Sequence, residues 1–507
     1  MIENLMLGFK VSFSFYNLVY CFVGCMLGTL IGVLPGLGPT ATIAMLLTLT
    51  YKLDLTSSVI MLAGIYYGAQ YGGTITSVLL KIPGEASTVV TCIDGYQMAQ
   101  QGKAGKALGI AAFGSFIAGS VGTVGLSLLA PPLSEFALAF GPPEYAALMI
   151  LGLTLVIYLG SGSVTKAILM GVLGMVLGTA GMDPVSGIER FTFGSASMME
   201  GFNVAVLAMG LFGIGEILGM AESSLAGSPP ERARSPKRLW ELLPNRKEWR
   251  ASIAPIGRGS IMGFFLGILP GGGAIIASFA SYAVEKKFSK HPERFGRGAI
   301  EGVAGPESAN NSAVSGCFIP LLTLGIPTNV VMALLIGAFM LHGVTPGPFI
   351  MKNRPEVFWG VITSMYIGNV ILLILNVPMI KFFVKILEIP AVILSPLIVL
   401  ICLIGAYSLN NNPFDIVLMV VFGGVGYLMK KFDYELAPLM LAFILGPMLE
   451  KSVRQSLIKA QGDPTIFFTR PISMVLMSVT VLMILSPLLT RLIRQQHGRP
   501  VEKEQRG

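Results

Sequence analysis

GVLPGLGPT occupies residues 32–40, and GILPGGGAI occupies residues 267–275. Each breaks a long apolar run with Leu-Pro-Gly. Upstream, glycine returns every fourth residue: Gly24, Gly28, Gly32 and Gly36 in one stretch, Gly259, Gly263, Gly267 and Gly271 in the other. Residues four apart share a helix face, so each stripe lets another backbone approach closely. Pro35 and Pro270 each remove an N–H and crowd the preceding turn. Gly36, Gly38, Gly271, Gly272 and Gly273 tolerate positive φ. A proline followed by several glycines predicts that one helix ends there and another starts. At membrane depth such a break is tolerated only where protein or a watery cavity covers it.

Composition supplies the membrane. The chain is 53% hydrophobic and 12% charged, whereas soluble domains carry roughly 25% charged residues. Apolar runs long enough to cross a bilayer lie at 107–133, 144–159, 200–221, 357–376, 390–408, 413–429 and 472–490. With the broken segments counted, the expectation is an all-α polytopic membrane protein with roughly twelve passes.

The net charge of +8 does not point to nucleic acid, because the basic residues cluster in loops. One cluster runs from Arg232 to Arg250, a second from Lys286 to Arg297, and a third from Arg491 to Arg506. The positive-inside rule places all three in the cytoplasm. This divides the chain into a first membrane repeat (1–222), a basic linker (223–256), a second repeat (257–490) and a basic tail (491–507). The N-terminus lacks a basic n-region and a cleavage site, so its apolar stretch reads as a retained helix. Cys21, Cys25, Cys92, Cys317 and Cys402 have no metal-ligand spacing and predict no disulfide.

Flanking charge suggests how the broken segments lie. Arg258 precedes 259–284 and the second basic cluster follows it, so both ends read as cytoplasmic. Two arms of roughly 11–13 residues reach about halfway across and return. The expectation is a re-entrant hairpin with its tip at LPGGG. The first copy, 24–51, has few flanking charges, which suits entry from the opposite face. Two such halves make an inverted repeat with a midplane substrate site, as in many secondary transporters.

Each half carries a second break. One lies within 67–108 at Ile82-Pro83, the other within 305–343 at Ile326-Pro327. A restarted helix exposes free N–H groups and the positive end of its dipole, which suits anions. Opposing helix ends expose carbonyls that suit Na⁺. The restarts are rich in Gly, Ser and Thr: Thr40, Thr42, Gly73, Thr74, Thr76, Ser87, Thr88, Asn310, Asn311, Ser312 and Thr328. Each hydroxyl either caps a broken helix or contacts a ligand. Ionisable groups in such a frame are costly and usually functional. Lys81 either attracts a carboxylate or snorkels to an interface. Glu85 follows the first break. Glu307 either binds a cation or proton, or pairs with a lysine. Asp94 opens the polar stretch DGYQMAQQGKAGKA and reads as a solvated turn. His291, His342 and His497 form no cluster.

LPGLGPT, GGTITSVLLKIPGEASTVVTCIDGYQMAQQGKAGKAL, LPGGG, PESANNSA, LTLGIPT and HGVTPGP together resemble the large membrane subunit of the tripartite tricarboxylate transporters, from about residue 20 to about residue 450. The resemblance implies a multi-pass protein of the bacterial inner membrane. It would work with a small four-helix membrane subunit and a periplasmic solute-binding protein that delivers a small organic anion, such as citrate or another di- or tricarboxylate. It implies import driven by a Na⁺ or H⁺ gradient, without ATP and without a cofactor. The family's motif positions fall on Pro35, Gly36, Gly38, Gly72, Gly73, Thr74, Pro83, Gly84, Pro270, Gly271, Gly273, Pro306, Glu307, Asn310, Asn311 and Pro327. On this reading Gly36, Gly38, Thr40, Gly73, Thr74, Thr76, Lys81, Gly84, Ser87, Gly271, Gly272, Gly273, Asn310, Asn311, Ser312 and Thr328 are candidates for substrate contact. Glu307, Asn310, Pro83 and Pro327 are candidates for the coupling ion. Lys81 departs from the family, which commonly has Asn there.

Three rival classes compete with this reading. A stand-alone carboxylate transporter or channel would use the same broken helices without a binding protein. A membrane enzyme would need a nucleophile, metal cluster or dyad, and the chain has no H-E-x-x-H, G-x-S-x-G or Cys/His cluster. A purely structural subunit seldom needs polar breaks at midplane.

Overall fold

The computed structural model describes residues 2–34, 38–159, 163–183, 186–226, 238–271, 273–386 and 391–496. The first half runs α1 (Ile2–Ser12), α2 (Phe15–Val33), α3 (Gly38–Thr50), α4 (Leu55–Leu80), α5 (Thr91–Gln100), α6 (Ala104–Ala137), α7 (Pro142–Leu159) and α8 (Val164–Gly178). Two short strands, β1 (Gly181–Met182) and β2 (Glu189–Arg190), pair antiparallel. Next come α9 (Val204–Ala208), a π-helical stretch at Met209–Ile214 and α10 (Gly215–Ala226). The second half runs α11 (Arg246–Ile268), α12 (Gly273–Phe288), α13 (Glu301–Leu324), α14 (Val330–Leu341), α15 (Ile350–Asn353), α16 (Pro355–Asn376) and α17 (Ile380–Ile386). It closes with α18 (Ala391–Asn410), α19 (Pro413–Lys431), α20 (Leu436–Lys459), α21 (Ile466–Thr469) and α22 (Pro471–Gln496).

Among the described residues seven helices are long and apolar enough to cross a membrane: Phe15–Val33, Ala104–Ala137, Val204–Glu222, Arg246–Ile268, Pro355–Asn376, Pro413–Lys431 and Leu436–Lys459. Others are apolar but short. The 13 residues of α3 span about 20 Å, too little to cross alone. Helix α11 begins at Arg246, so the C-terminal part of the 223–256 connection is helical. Helix α20 is a span that sequence reading passed over, because Glu450, Lys451 and Arg454 sit in its second half.

Helices α4 and α13 form the centre. Every residue of α4 is buried, as is every residue of α13 from Gly302 to Thr323. Each takes one glycine stripe against its backbone. A Cβ on Gly24, Gly28 or Gly32 of α2 would strike the carbonyl oxygens of Met61, Ile65 and Ala69 on α4. A Cβ on Gly259, Gly263 or Gly267 of α11 would strike those of Gly305, Ala309 and Ala313 on α13. In both pairs the contacts advance four residues at a time in the same direction, so the partners run parallel. Helices α4 and α13 cross each other antiparallel: Val78 and Val303 meet over Gly95, Thr74 bonds to Glu307, and Asn329 bridges Tyr66 to Cys317.

Polar contacts mark the two ends of the bundle. At one end Lys106 pairs with Glu248 at 3.7 Å, and Gln101 donates to the Arg297 carbonyl. At the other, Arg190 of β2 bridges Asp183 and Glu450, Arg454 also reaches Asp183, and Arg470 pairs with Glu144. All five cysteines are free and buried.

Candidate functional site

Four chain breaks meet around α4, and each has a local cause. Helix α4 ends at Lys81, which adopts the left-handed conformation at φ 60°. Pro83 then lacks the N–H a further turn would need. Helix α13 ends at Gly325, also left-handed, before Ile326-Pro327. Helix α2 stops at Val33 and α11 at Ile268, before the two Leu-Pro-Gly stretches. Gly36 and Gly272, with Pro35, lie outside the described residues.

The first pair of breaks packs together. Thr76 donates to the Val33 carbonyl at 2.7 Å. A Cβ on Gly84 would strike the Gly32 carbonyl, and one on Gly73 would crowd Glu85 and Thr88. Gly38 opens α3 at φ 48°, its missing side chain facing the Glu85 carboxylate. Thr88 closes a capping box with Glu85. Ser87 donates to Gln70 Oε1 at 2.5 Å. Thr40 is half-buried in the first turn of α3, and Pro83 is half-buried beside Gly84.

The second pair is equally close. The Gly271 N–H donates to the Thr328 carbonyl at 2.8 Å. Gly273 opens α12 against Cys317 and the Asn329 amide. Asn329 caps α14 by accepting from the Met332 N–H and donates to the Tyr66 hydroxyl at 3.1 Å. Pro327 and Thr328 are buried, and the Thr328 hydroxyl makes no hydrogen bond to oxygen or nitrogen. Tyr66, Gln70 and Thr74 stand four residues apart on one face of α4, so a single helical row touches the second pair, the first pair and Glu307 in turn.

Glu307 is fully buried. Its Oε2 accepts from Thr74 at 2.7 Å and from Asn310 Nδ2 at 3.4 Å, and its Oε1 accepts from Thr91. Asn311 donates to Asn310 Oδ1, to the Glu307 carbonyl and to Ser115. Among the described residues no Lys, Arg or His pairs with this carboxylate. An ionised carboxylate in such surroundings calls for a proton or a cation.

Several expected residues go elsewhere. Lys81 is exposed, its ammonium 5.9 Å from the Tyr96 ring centre. Ser312 donates to the Ser260 carbonyl at 2.7 Å and joins α13 to α11. Asp94 corrects the sequence reading: it is not a solvated turn but fully buried. Its Oδ1 accepts from the N–H groups of Gly296, Gly298 and Ala299 at 2.8–2.9 Å, and its Oδ2 from Tyr282 at 2.9 Å. Thr91, Ser115, Gln70 and Tyr66 were missed. The spacing of Tyr66, Gln70 and Thr74 was the available signal for two of them.

The family model for the tripartite tricarboxylate transporter TctA family matches residues 18–441. The chain is 52% identical over 479 residues to an Agrobacterium vitis protein named "Uncharacterized 52.8 kDa protein in TAR-I ttuC' 3'region", covering 94% of each. It is 54% identical over 227 residues to "Uncharacterized protein in TAR-II ttuC' 3'region" of the same organism, covering 45% of this chain and 94% of that one. No solved structure matches. With most of its length inside the family model, the chain belongs to the tripartite tricarboxylate transporter TctA family.

Proposed function

We propose that this chain is the large transmembrane subunit of a binding-protein-dependent secondary transporter that imports small organic anions across the bacterial inner membrane. Family membership makes it a multi-pass transporter subunit. Its partners in this reading are a small four-helix membrane subunit and a periplasmic binding protein. The anion's carboxylates meet the restarted ends of α3, α12 and α14 and the loop between α4 and α5, where the positive ends of the helix dipoles favour negative charge. The observation that carries the reading is the buried Glu307 carboxylate, held by Thr74, Thr91 and Asn310 where α4 crosses α13. Glu307 holds the coupling ion, Na⁺ or H⁺.

The two halves are inverted in this proposal. Parallel packing of α2 on α4 and of α11 on α13, with α4 antiparallel to α13, supports that arrangement. So does the ion pair of Arg258 on α11 with Glu285 on α12, which holds the two arms of one hairpin side by side. The hairpin enters from the cytoplasmic face, and its counterpart α2–α3 from the periplasmic face.

The test is uptake of radiolabelled carboxylates into vesicles holding this chain and its small partner, with and without the binding protein, under imposed Na⁺ or H⁺ gradients. Uptake that requires both protein and gradient supports the reading. Uptake indifferent to the binding protein would replace it with a stand-alone transporter.

A further inference from the structure

Next to Glu307, the facing sides of α4, α6 and α16 leave polar space. Tyr71, Thr74, Ser115 and Asn376, among apolar neighbours, line a cavity of about 10 Å³. Tyr71 also lines a neighbouring cavity of about 20 Å³ with Asn311, Ser315 and Asn369. A buried water needs roughly 10–15 Å³ and two to four polar partners. Asn376 is 4% exposed, and its Nδ2 donates to the Leu372 carbonyl at 2.9 Å, but its Oδ1 has no partner. A buried amide oxygen without a donor is costly, and a water in the first cavity would supply one. That same water would reach Thr74, whose hydroxyl already donates to Glu307.

The cavity also has a direction. Leu108 and Ala111 line it from α6, within two turns of the helix start at Ala104. Lys106 ties that start to Glu248 at the basic end of the bundle.

We propose that Glu307 exchanges a proton with this end of the bundle through the Thr74 hydroxyl and a water held against Asn376. The proposal rests on Glu307 being the coupling group and specifies the coupling ion as H⁺. In the release step the Glu307 O–H bond breaks and a new O–H bond forms on Thr74 Oγ1. Thr74 gives its original hydrogen to the cavity water, and that water passes one of its own hydrogens to a solvent water at this end of the bundle, which becomes hydronium. One proton leaves, and Thr74 and the water end neutral. The ionised carboxylate is then held by Thr74, Thr91 and Asn310. Among the described residues, the ionisable neighbours facing Glu307 are Tyr71 of α4 and Cys92 of α5, and neither is a cation. From α6 it is faced by Ser115, and along α13 by Asn310 and Asn311. A space of one water passes a proton by exchange of hydrogen bonds but does not pass hydrated Na⁺.

Infrared difference spectroscopy on the full chain in lipid tests this route without knowing the substrate. The carboxylic-acid band that disappears in Glu307→Gln belongs to Glu307, and its hydrogen–deuterium exchange rate is followed after mixing with heavy water. Asn376→Leu fills the cavity with apolar groups and is expected to slow exchange by on the order of tenfold, as a raised transfer barrier would. Asn376→Ala leaves room for water and is expected to keep the original rate. Unchanged exchange in the leucine variant would overturn the route. Absence of any Glu307 acid band at the pH of uptake would instead overturn the proton-carrying role of Glu307 itself. If the leucine variant does not fold, Thr74→Val takes its place. Slow exchange with valine, restored by Thr74→Ser, supports the relay, and no slowing with valine refutes it.

Discussion

Thr74 of α4 donates its hydroxyl to Glu307 of α13 across 2.7 Å, in a region where both side chains are shielded from solvent. The contact joins a residue of the first half to a residue of the second. The two helices that carry it are each packed backbone to backbone against a glycine stripe, α4 against α2 and α13 against α11.

That packing is measurable. Gly28→Ala and Gly263→Ala each drive a Cβ into a backbone carbonyl of the facing helix. Each is expected to destabilise by about 1–3 kcal/mol, the usual range for overpacking. Gly257→Ala, in the same helix as Gly263 but with nothing near its Cβ, is expected to leave stability unchanged or slightly raised. Thermal melts in detergent check all three. Equal melts for Gly257→Ala and Gly263→Ala would contradict the close-packing account.

Asp94 accepts three N–H groups of the 296–299 loop. Asp94→Ala leaves the buried Ala299 N–H without its acceptor, at about 1–3 kcal/mol for an unsatisfied buried group, and also removes the bonds to the half-buried Gly298 and the exposed Gly296. The expected outcome is a large drop in melting temperature and in yield. Asp94→Asn keeps one acceptor oxygen and is expected to fall in between. A melt of Asp94→Ala matching that of the unmodified chain would refute the anchoring role.

The arms of the α11–α12 hairpin are held by Arg258 and by Glu285, whose side chain is 1% exposed. If the hairpin works as one body, a disulfide between cysteines placed at 258 and 285 preserves uptake. Loss of uptake on oxidation, regained on reduction, would mean that the arms separate during transport.

Inverted halves put Lys52 and Lys286 on opposite faces. Single cysteines at these positions are expected to react with an impermeant maleimide from opposite sides of the vesicle. Labelling of both from one side would remove the inversion, and with it the counterpart hairpin.

How much of this was legible in the sequence depended on whether the signal was local. Glycine every fourth residue followed by Leu-Pro-Gly is a local pattern, and the stripes and helix breaks lie where it placed them. Glu307, Asn310 and Thr74 stood out as polar groups in an apolar frame. Thr91 did not, because it follows Val89 and Val90 in what reads as an ordinary apolar turn. Ser115 was hidden among the glycines and alanines of α6. Asp94 was misread because its surroundings are polar in sequence, whereas its partners are backbone groups some two hundred positions away. Backbone donors carry no residue signature. Lys81 shows the opposite case: a charge beside a conspicuous break attracts suspicion, yet left-handed geometry turns it outward.

The central claim is that Glu307 couples transport to an ion gradient. Its most direct test is Glu307→Gln in vesicles holding the full transport complex, with gradient-driven uptake and gradient-free exchange of labelled carboxylate measured side by side. The expected result is loss of gradient-driven accumulation with exchange retained, because the neutral amide fills the same space but cannot gain or lose a proton or balance a cation. Gradient-driven accumulation at the unmodified level would contradict the claim.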